Sequence, residues 1–279
     1  MILDGKKTAE LITKKVGEEV QTIPDKITLA LILVGHNPAS EVYVNSKMKA
    51  CDAVGICVRD FFLEENETQK ELLSIIDSCN KDSNVHGILV QMPLPSHIDE
   101  NIVINAISPE KDVDGLTIIN QGKLMAGLDT IAPATPKGVI TLLKKHYIDI
   151  VGKNVVVIGR SILVGKPLAL LFLKNNATVT IAHSRTTNLK ELTKRADILA
   201  VAVGKPNFIT ADMVKKDAVV VDIGINRVEG KLIGDVKFDE VSEIASYISP
   251  VPKGVGPMTI ASLLENILEC YHIQKRNRE

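Results

Sequence analysis

The sequence predicts an α/β protein of two domains, each built on a parallel β-sheet that helices cover. Three observations support this fold class. The chain has 279 residues, which is long for a single hydrophobic core. Short β-branched runs alternate with helical patterns almost from end to end, as they do in βαβ units. The segment 108–137 is rich in Pro, Gly and Asp, so we expect the domain junction there.

In the first half of the chain, apolar β-branched runs predict strands at 29–34, 56–62 and 87–91. Helical patterns at about 40–54 and 67–80 connect these strands. Asn66 and Thr68 lie at the start of the second helix and are residue types that cap helix N-termini. Parallel strands joined by helices are therefore expected throughout this half.

In the second half, similar runs predict strands at 154–158, 178–183, 198–203 and 219–223. One helix is predicted at about 165–175, and another at about 137–146 carries the chain across the junction. The pattern at 260–273 indicates one amphipathic helix. We therefore expect domains at 1–136 and 137–257, with a C-terminal helix at about 258–279 that packs back on the first domain.

Composition argues against several classes of partner. The formal net charge is −1 and aromatic residues make up 3% of the chain, with no Trp, so neither a nucleic acid nor an anionic membrane is an expected ligand. Apolar runs such as 29–34 are far shorter than the ~18 residues that a membrane span needs.

The four cysteines form no CxxC pair, and no His cluster has zinc spacing, so we expect free thiols and no metal site. The first residues lack the apolar core of a signal peptide. These features together predict a cytoplasmic protein.

A glycine turn follows the strand predicted at 154–158. It reads Gly159-Arg160-Ser161-Ile162-Leu163-Val164-Gly165 and opens the helix at 165–175. Glycines let a phosphate approach the backbone N–H groups at a helix N-terminus. The spacing differs from the G-x-G-x-x-G of dinucleotide-binding folds, and the turn by itself fits ordinary turn chemistry equally well.

The end of the next strand favours a Rossmann-type domain that binds NADP. NAD-binding versions place a carboxylate there for the ribose 2′-hydroxyl, whereas this chain has Ser184 and Arg185. Together with Arg160 they suit a 2′-phosphate dianion; the alternative is a polar loop with a surface arginine. Ile225, at the bend after the strand at 219–223, is expected to flank the nicotinamide ring.

Candidate chemical residues lie in the first half. Tyr43 and Lys47 are four residues apart, on one face of the predicted helix. Gln91 ends a predicted parallel strand, where ligand crevices form. Asp112 and Asp114 lie at the domain junction, and one of them is expected to face a substrate. The plainer alternatives are an exposed lysine beside a half-buried tyrosine, and loop aspartates that cap or are solvated.

Six segments, in order over nearly the whole chain, resemble the methylenetetrahydrofolate dehydrogenase/cyclohydrolase family. They are 39–47, 87–95, 109–115, 135–138, 159–161 and 250–259. The resemblance implies NADP-dependent oxidation of 5,10-methylenetetrahydrofolate to the methenyl cation, followed by hydrolysis to 10-formyltetrahydrofolate, without a metal. It also implies a ligand cleft between the domains, a homodimer made through the nucleotide domains, and a place in the one-carbon metabolism behind purine and amino-acid biosynthesis.

The resemblance assigns roles to four side chains. Lys47 transfers protons in the hydrolytic step, Gln91 holds the lysine, Tyr43 stacks along the folate, and Asp114, not Asp112, pairs with the pterin ring. It extends the folate site to Val90, Met92, Pro252, Gly254, Val255 and Gly256, and the NADP site to Gly159, Arg160, Ser161, Val164, Gly165, Ser184, Arg185 and Ile225.

The chain departs from the family pattern at two positions. Lys253 stands where the family usually has glycine, and Ala134 where it often has cysteine. Lys253 can reach the anionic glutamate tail of the folate or point to solvent, and the second reading is preferred.

Three alternative functions are open at this stage. The first is a dehydrogenase with weak or absent cyclohydrolase activity. The second is a non-catalytic NADP-sensing module, and the third is a two-domain NADP dehydrogenase acting on a small hydroxy acid. The third would require a carboxylate-binding cluster in the first half, which the sequence does not offer.

Overall fold

The computed structural model describes residues 1–277, so the last two residues of the expected C-terminal helix lie outside the described part. The chain divides into two compact units, which we name by their sheets. The five-stranded unit contains Met1–Glu10 and Pro133–Ser262, and the three-stranded unit contains Leu11–Ala132 and the chain from Leu263 onwards.

The three-stranded unit holds a parallel sheet. Its elements are α1 (Gly5–Thr22, which begins in the other unit), β1 (Thr28–Val34), α2 (Pro38–Ala53), β2 (Cys57–Leu63), α3 (Gln69–Lys81), β3 (Gly87–Val90), α4 (Glu100–Asn105) and α5 (Ile118–Met125). The strand order is β2-β1-β3. Every residue of β1 after Thr28 is buried, as expected of a central strand with helices on both faces.

The five-stranded unit also holds a parallel sheet. Its elements are α6 (Ala134–Lys145), β4 (Asn154–Ile158), α7 (Gly165–Lys174), β5 (Thr178–Ala182), α8 (Leu189–Thr193), β6 (Ile198–Val201), β7 (Val219–Asp222), the hairpin β8 (Asn226–Val228) and β9 (Lys231–Ile233), α9 (Phe238–Ser242), β10 (Tyr247–Ile248) and the start of α10 (Val255–Arg276). A short 3₁₀ turn lies at Ala211–Met213. The strand order is β10-β7-β6-β4-β5, all parallel.

This strand order produces a topological switch point. The chain leaves β4 for β5 on one side and returns to β6 on the other. In open parallel sheets the loops after two such strands part from each other, and the crevice between them receives ligands. The predicted α/β class, with parallel sheets and a Rossmann-type second domain, is confirmed.

Local signals explain where the helices begin. The side chain of Asn37 accepts hydrogen bonds from the N–H groups of Ala39 and Ser40 at the start of α2. Thr68, rather than Asn66, caps α3, and it forms a reciprocal capping box with Glu71. Such caps satisfy N–H groups that have no partner within the helix.

Three features differ from the sequence expectation. The helix α1 was not predicted, and α5 forms inside the segment expected to be irregular, where the Thr117 hydroxyl accepts from the N–H of Asn120. Residues 1–10 were expected in the first domain, but they group with the five-stranded unit. The reason is strand-like pairing, since Leu3 N–H donates to the Ile248 carbonyl (2.9 Å) and Ile248 N–H to that of Met1 (3.0 Å).

The later part of α10 is tied to the three-stranded unit by side-chain amides. Asn266 donates to the carbonyls of Val113 (2.8 Å) and Ala132 (2.9 Å), and Gln274 donates to that of His86 (2.6 Å). Within residues 1–277, none of the helices combines the length and apolar character that crossing a bilayer requires.

Candidate active site

Lys47 and Gln91 meet although they are far apart in sequence. The Lys47 ammonium donates to Gln91 Oε1 at 3.0 Å. Gln91 follows β3, its N–H donates to the Ile32 carbonyl at 2.8 Å, and its Nε2 donates to the Met92 carbonyl at 2.7 Å. Because the amide nitrogen is already engaged with Met92, the amide oxygen is turned toward the lysine. Gln91 therefore fixes the position of the Lys47 ammonium.

Tyr43 lies one helical turn before Lys47 on α2. Its side chain is 48% exposed, so its ring offers a surface on which a planar ligand can stack. Cys51, one turn after Lys47, is buried, and burial raises the pKa of its thiol to about 12. Such a thiol stays protonated at neutral pH and adds no negative charge beside Lys47.

The two junction aspartates have different environments. The Asp112 carboxylate is buried and accepts from the N–H of Thr117 (2.8 Å) and from Nδ2 of Asn120 (2.9 Å), so its contacts hold the start of α5. Asp114 is half-buried, and desolvation raises the pKa of its carboxyl, while the Lys47 charge lowers it and that of Asp112 raises it further. Asp114 therefore lies within electrostatic range of Lys47.

An apolar recess surrounds these carboxylates. It is lined by Ile88, Val90, Met92, Ile104, Ile107, Asp112, Asp114 and Leu116. The Val90 side chain is part of the hydrophobic core, and Met92 packs against the same cluster from a half-buried position. Apolar walls explain why burial dominates the pKa of Asp114. They also strengthen any hydrogen bond that Asp114 makes to a ligand.

The turn after β4 is too tight for any residue but glycine at two positions. Gly159 has φ +128°, and a Cβ there would lie 2.3 Å from the Ala202 carbonyl oxygen. A Cβ on Gly165 would lie 2.2 Å from the Gly159 oxygen. The Ser161 hydroxyl accepts from the N–H groups of Val164 (3.1 Å) and Gly165 (3.4 Å). The glycines thus let the chain turn tightly from β4 into α7, at the position where dinucleotide-binding folds bring a phosphate to a helix N-terminus.

The loop after β5 carries cationic and hydroxyl groups. Ser184 and Arg185 are exposed, and the Arg185 N–H donates to His183 Nδ1 at 3.1 Å. Neither Arg185 nor Arg160 forms an ion pair with any other residue of 1–277. These guanidinium groups are therefore available to an anion, and the residues present fit a nucleotide that carries a 2′-phosphate.

The remaining predicted folate residues lie in the five-stranded unit. Pro252 and Gly254 lie in the turn before α10, and Val255 and Gly256 are the first residues of that helix. A Cβ on Gly254 would lie 2.3 Å from the Pro250 oxygen, so the turn requires a glycine there. Lys253 is exposed and has φ +81°, in the left-handed region that disfavours a side chain.

Sequence reasoning missed two buried aspartates at the carboxyl edge of the five-stranded sheet. Asp222 ends β7, and Asp235 follows the hairpin; both are buried. Burial raises the pKa of Asp222 to about 7, although backbone N–H groups of Val236 and Asp235 act in the opposite direction. A signal was present in the glycines Gly224 and Gly234, each of which allows a carboxylate to approach the backbone.

All four cysteines are free thiols, as predicted. Over the described residues no group of three or more His, Cys, Asp or Glu side chains is arranged to hold a metal ion.

Comparison with known proteins finds two family models that match the chain, one in each half. The model of the tetrahydrofolate dehydrogenase/cyclohydrolase catalytic domain matches residues 3–114, and that of the NAD(P)-binding domain of the same enzymes matches residues 133–275. The bifunctional protein FolD of Sulfurihydrogenibium sp. is 55% identical over 277 residues, which are 97% of each chain.

Two solved structures extend the comparison. The bifunctional FolD methylenetetrahydrofolate dehydrogenase/cyclohydrolase of Campylobacter jejuni has a TM-score of 0.96 and 48% identity, and the match covers 98% of this chain and 99% of that one. The Trypanosoma brucei enzyme, solved with NADP and an inhibitor, has a TM-score of 0.94 and 36% identity, over 99% and 98% of the two chains.

Proposed function

Because the chain belongs to the tetrahydrofolate dehydrogenase/cyclohydrolase family, we propose that Lys47, Gln91, Tyr43 and Asp114 act on the folate in both of its reactions. The protein is an NADP-dependent methylenetetrahydrofolate dehydrogenase and a methenyltetrahydrofolate cyclohydrolase. The observation that carries the residue assignment is the 3.0 Å hydrogen bond from Lys47 to Gln91, with Asp114 in electrostatic range.

The dehydrogenase step depends mainly on alignment. The methylene carbon loses a hydride with help from the lone pairs of the two folate nitrogens, so no protein base is needed at this carbon. NADP, when bound, accepts the hydride. The chain contributes by holding the folate through Tyr43 and Asp114, because correct orientation lowers a large part of such a barrier.

The cyclohydrolase step requires proton transfers. Water adds to the methenyl carbon and loses a proton, which gives a neutral carbinolamine. The bond from this carbon to N5 then breaks as N5 gains a proton and the carbinol hydroxyl loses its own, so that the formyl group stays on N10 and one proton is released overall. We assign the proton taken from water and the proton given to N5 to the Lys47 amine, and Gln91 keeps this amine in place between the two transfers.

Asp114 is proposed to bind the pterin ring. A carboxylate can accept two parallel N–H donors, and a pterin offers such a pair at its amino group and the adjacent ring nitrogen. The recess of Ile88, Ile104 and Leu116 shields these hydrogen bonds from water.

The activity itself is tested with methylenetetrahydrofolate and either NADP or NAD. We expect NADPH to form and the methenyl chromophore to appear only transiently, because hydrolysis consumes it. Persistent methenyl product would contradict the bifunctional assignment, and the absence of any reduced cofactor would contradict dehydrogenase activity altogether.

The 2′-phosphate site makes a separate prediction. Arg185→Ala should raise the KM for NADP by about 10- to 100-fold, which corresponds to one charge-assisted hydrogen bond, and leave the KM for NAD nearly unchanged. Steady-state kinetics with both cofactors measure this difference. Arg195→Ala, an exposed arginine of the same unit, is the matched control. An equal effect of Arg185→Ala on both cofactors would exclude a 2′-phosphate contact.

We also propose a cytoplasmic homodimer whose folate chemistry serves purine and amino-acid biosynthesis. The free thiols suit a reducing compartment. For the dimer, β5 is an edge strand with exposed residues, including Ile181. Edge strands with unpaired backbone groups can pair with a second copy.

The dimer prediction is tested at that edge. Ile181→Glu should convert the protein to a monomer in light-scattering measurements, because it places a charge in an apolar contact. Leu11→Glu, at an exposed leucine of α1, should leave the molecular mass unchanged. A monomeric wild-type protein, or a variant that stays dimeric, would refute this interface.

A further inference from the structure

Two buried aspartates interlock the loops that follow β6 and β7. The Asp222 carboxylate accepts from the N–H groups of Asp235 (2.9 Å) and Val236 (3.0 Å). The Asp235 carboxylate in turn accepts from the N–H groups of Val203 (2.6 Å) and Gly204 (2.9 Å). The Asp222 carboxylate thus holds the backbone at 235–236, and the Asp235 carboxylate holds the backbone of the loop after β6.

Asp235 gathers further donors on its second oxygen. Oδ1 accepts from the Lys205 N–H at 2.8 Å and from Asn226 Nδ2 at 2.9 Å. The carboxylate therefore bridges the loop after β6, at 203–205, and the loop after β7, at 224–226. Gly224 is required by this bridge, because a Cβ there would lie 2.2 Å from both Asp235 oxygens.

The price of this arrangement is the desolvation of two carboxylates. Asp235 is 0% exposed and Asp222 is 3% exposed, and neither forms an ion pair with a residue of 1–277. Buried carboxyl groups without a cationic partner are costly even when N–H groups solvate them, because burial penalises their charged form. A requirement for the loop geometry explains why the carboxylates are present.

The bridged loops border the cofactor turn. The residue before Val203 is Ala202, whose carbonyl oxygen lies so close to Gly159 that a Cβ there would be 2.3 Å away. On the other loop Ile225 is 41% exposed at the carboxyl edge of the sheet. The loop after β6 therefore borders the switch-point crevice, on the side of β4 opposite to the loop that carries Arg185, and Asp235 joins the loop after β7 to it.

We propose that Asp235 is a positioning residue for hydride transfer: by bridging the loops 203–205 and 224–226, it fixes the surface that receives the nicotinamide half of NADP. This inference rests on the proposed cofactor site. Asp235 is fully buried and acts through Ile225 and the backbone of Val203 and Gly204. Asp222 fixes the backbone at Asp235, because its carboxylate accepts hydrogen bonds from the N–H groups of Asp235 and Val236.

Asp235→Asn tests the proposal with the least change of shape. Whichever way the new amide turns, its NH₂ group faces N–H donors that a carboxylate oxygen accepted before. We expect NADPH binding, followed by its fluorescence, to weaken about 10- to 100-fold, with a matching fall in dehydrogenase kcat/KM, because displaced loops misalign the nicotinamide.

Two readouts separate positioning from general damage. The inhibition constant of 2′,5′-ADP, which carries only the adenosine half of the cofactor, should stay within about twofold of wild type, and so should hydrolysis of methenyltetrahydrofolate without nucleotide. Equal losses for 2′,5′-ADP and NADPH, or a parallel loss of hydrolysis, would show a merely structural role. Unchanged NADPH binding and turnover would overturn the proposal directly.

A milder variant covers the case in which Asp235→Asn fails to fold. Asn226→Ala removes one donor to Asp235 from a half-buried position and should weaken NADPH binding in the same selective way, by about three- to tenfold. Full retention of NADPH binding and turnover by this variant would count against the bridge. Asp239→Asn, at an exposed aspartate of α9, is the matched control.

Failure of the proposed function remains distinguishable from failure of this inference. A wild-type protein that binds NADPH but does not oxidise methylenetetrahydrofolate would refute the function. The comparison of NADPH with 2′,5′-ADP in the variants would still decide the role of Asp235.

Discussion

Lys47→Met is expected to slow the hydrolysis of methenyltetrahydrofolate by about 10²- to 10⁴-fold, the usual contribution of a positioned acid–base group. Methionine keeps the length and apolar stem of lysine but cannot carry a proton. Lys47 is half-buried, and its ammonium makes the hydrogen bond to Gln91, so the backbone of α2 does not depend on it. Decay of the methenyl chromophore measures the rate, and circular dichroism confirms that the fold is intact.

Lys49→Met is the matched control, because Lys49 is an exposed lysine of the same helix. It should hydrolyse the substrate at the wild-type rate. Hydride transfer depends more on alignment than on proton transfer, so Lys47→Met should affect the dehydrogenase less than the hydrolysis. Normal hydrolysis by Lys47→Met would overturn the proposed role of this residue.

Asp114→Asn should raise the KM for folate substrates in both reactions by about 10- to 150-fold, as expected when a charged acceptor for two N–H donors is lost. Binding of NADPH should not change. Initial rates at saturating NADP measure the effect, and Asp60→Asn, at an exposed aspartate of β2, serves as the control. An unchanged folate KM would exclude a contact between Asp114 and the pterin.

The wild-type protein and Asp114→Asn together give a pH test. Burial raises the pKa of Asp114, and its protonated form can no longer accept both donors. The folate KM of the wild-type protein should therefore rise as the pH falls through this raised range. Asp114→Asn has no carboxyl at this position and should lack that part of the pH dependence.

Local patterns predicted much of the framework. The strands β1, β3, β4 and β7 were expected within one or two residues of their observed ends, because buried parallel strands require continuous apolar runs. The capping role of Thr68 was also predicted from residue type and position alone. These signals are local, because each depends on residue type and on the regular spacing of buried residues along a strand or a helix.

Other elements were not predicted. The helix α1 was missed although its buried residues Ala9, Ile12, Val16 and Val20 recur at helical spacing between charged residues. The helix α5 is short and lies in a segment rich in turn residues. Residues 1–10 belong with the five-stranded unit because backbone groups of Met1 and Leu3 pair with Ile248. The spacing of apolar residues in the sequence does not predict this contact.

The sequence by itself determined where the strands lie along the chain, the glycine turn at Gly159, and the shared helix face of Tyr43 and Lys47. The tertiary structure decided which side chains meet: Lys47 with Gln91, Asp114 within range of the Lys47 charge, and Asp235 with the loops after β6 and β7. Helical spacing relates residues that are only a few positions apart, whereas these contacts join residues as far apart in sequence as Lys47 and Gln91. Strand order, and with it the burial of each carboxylate, exists only once the sheets have formed.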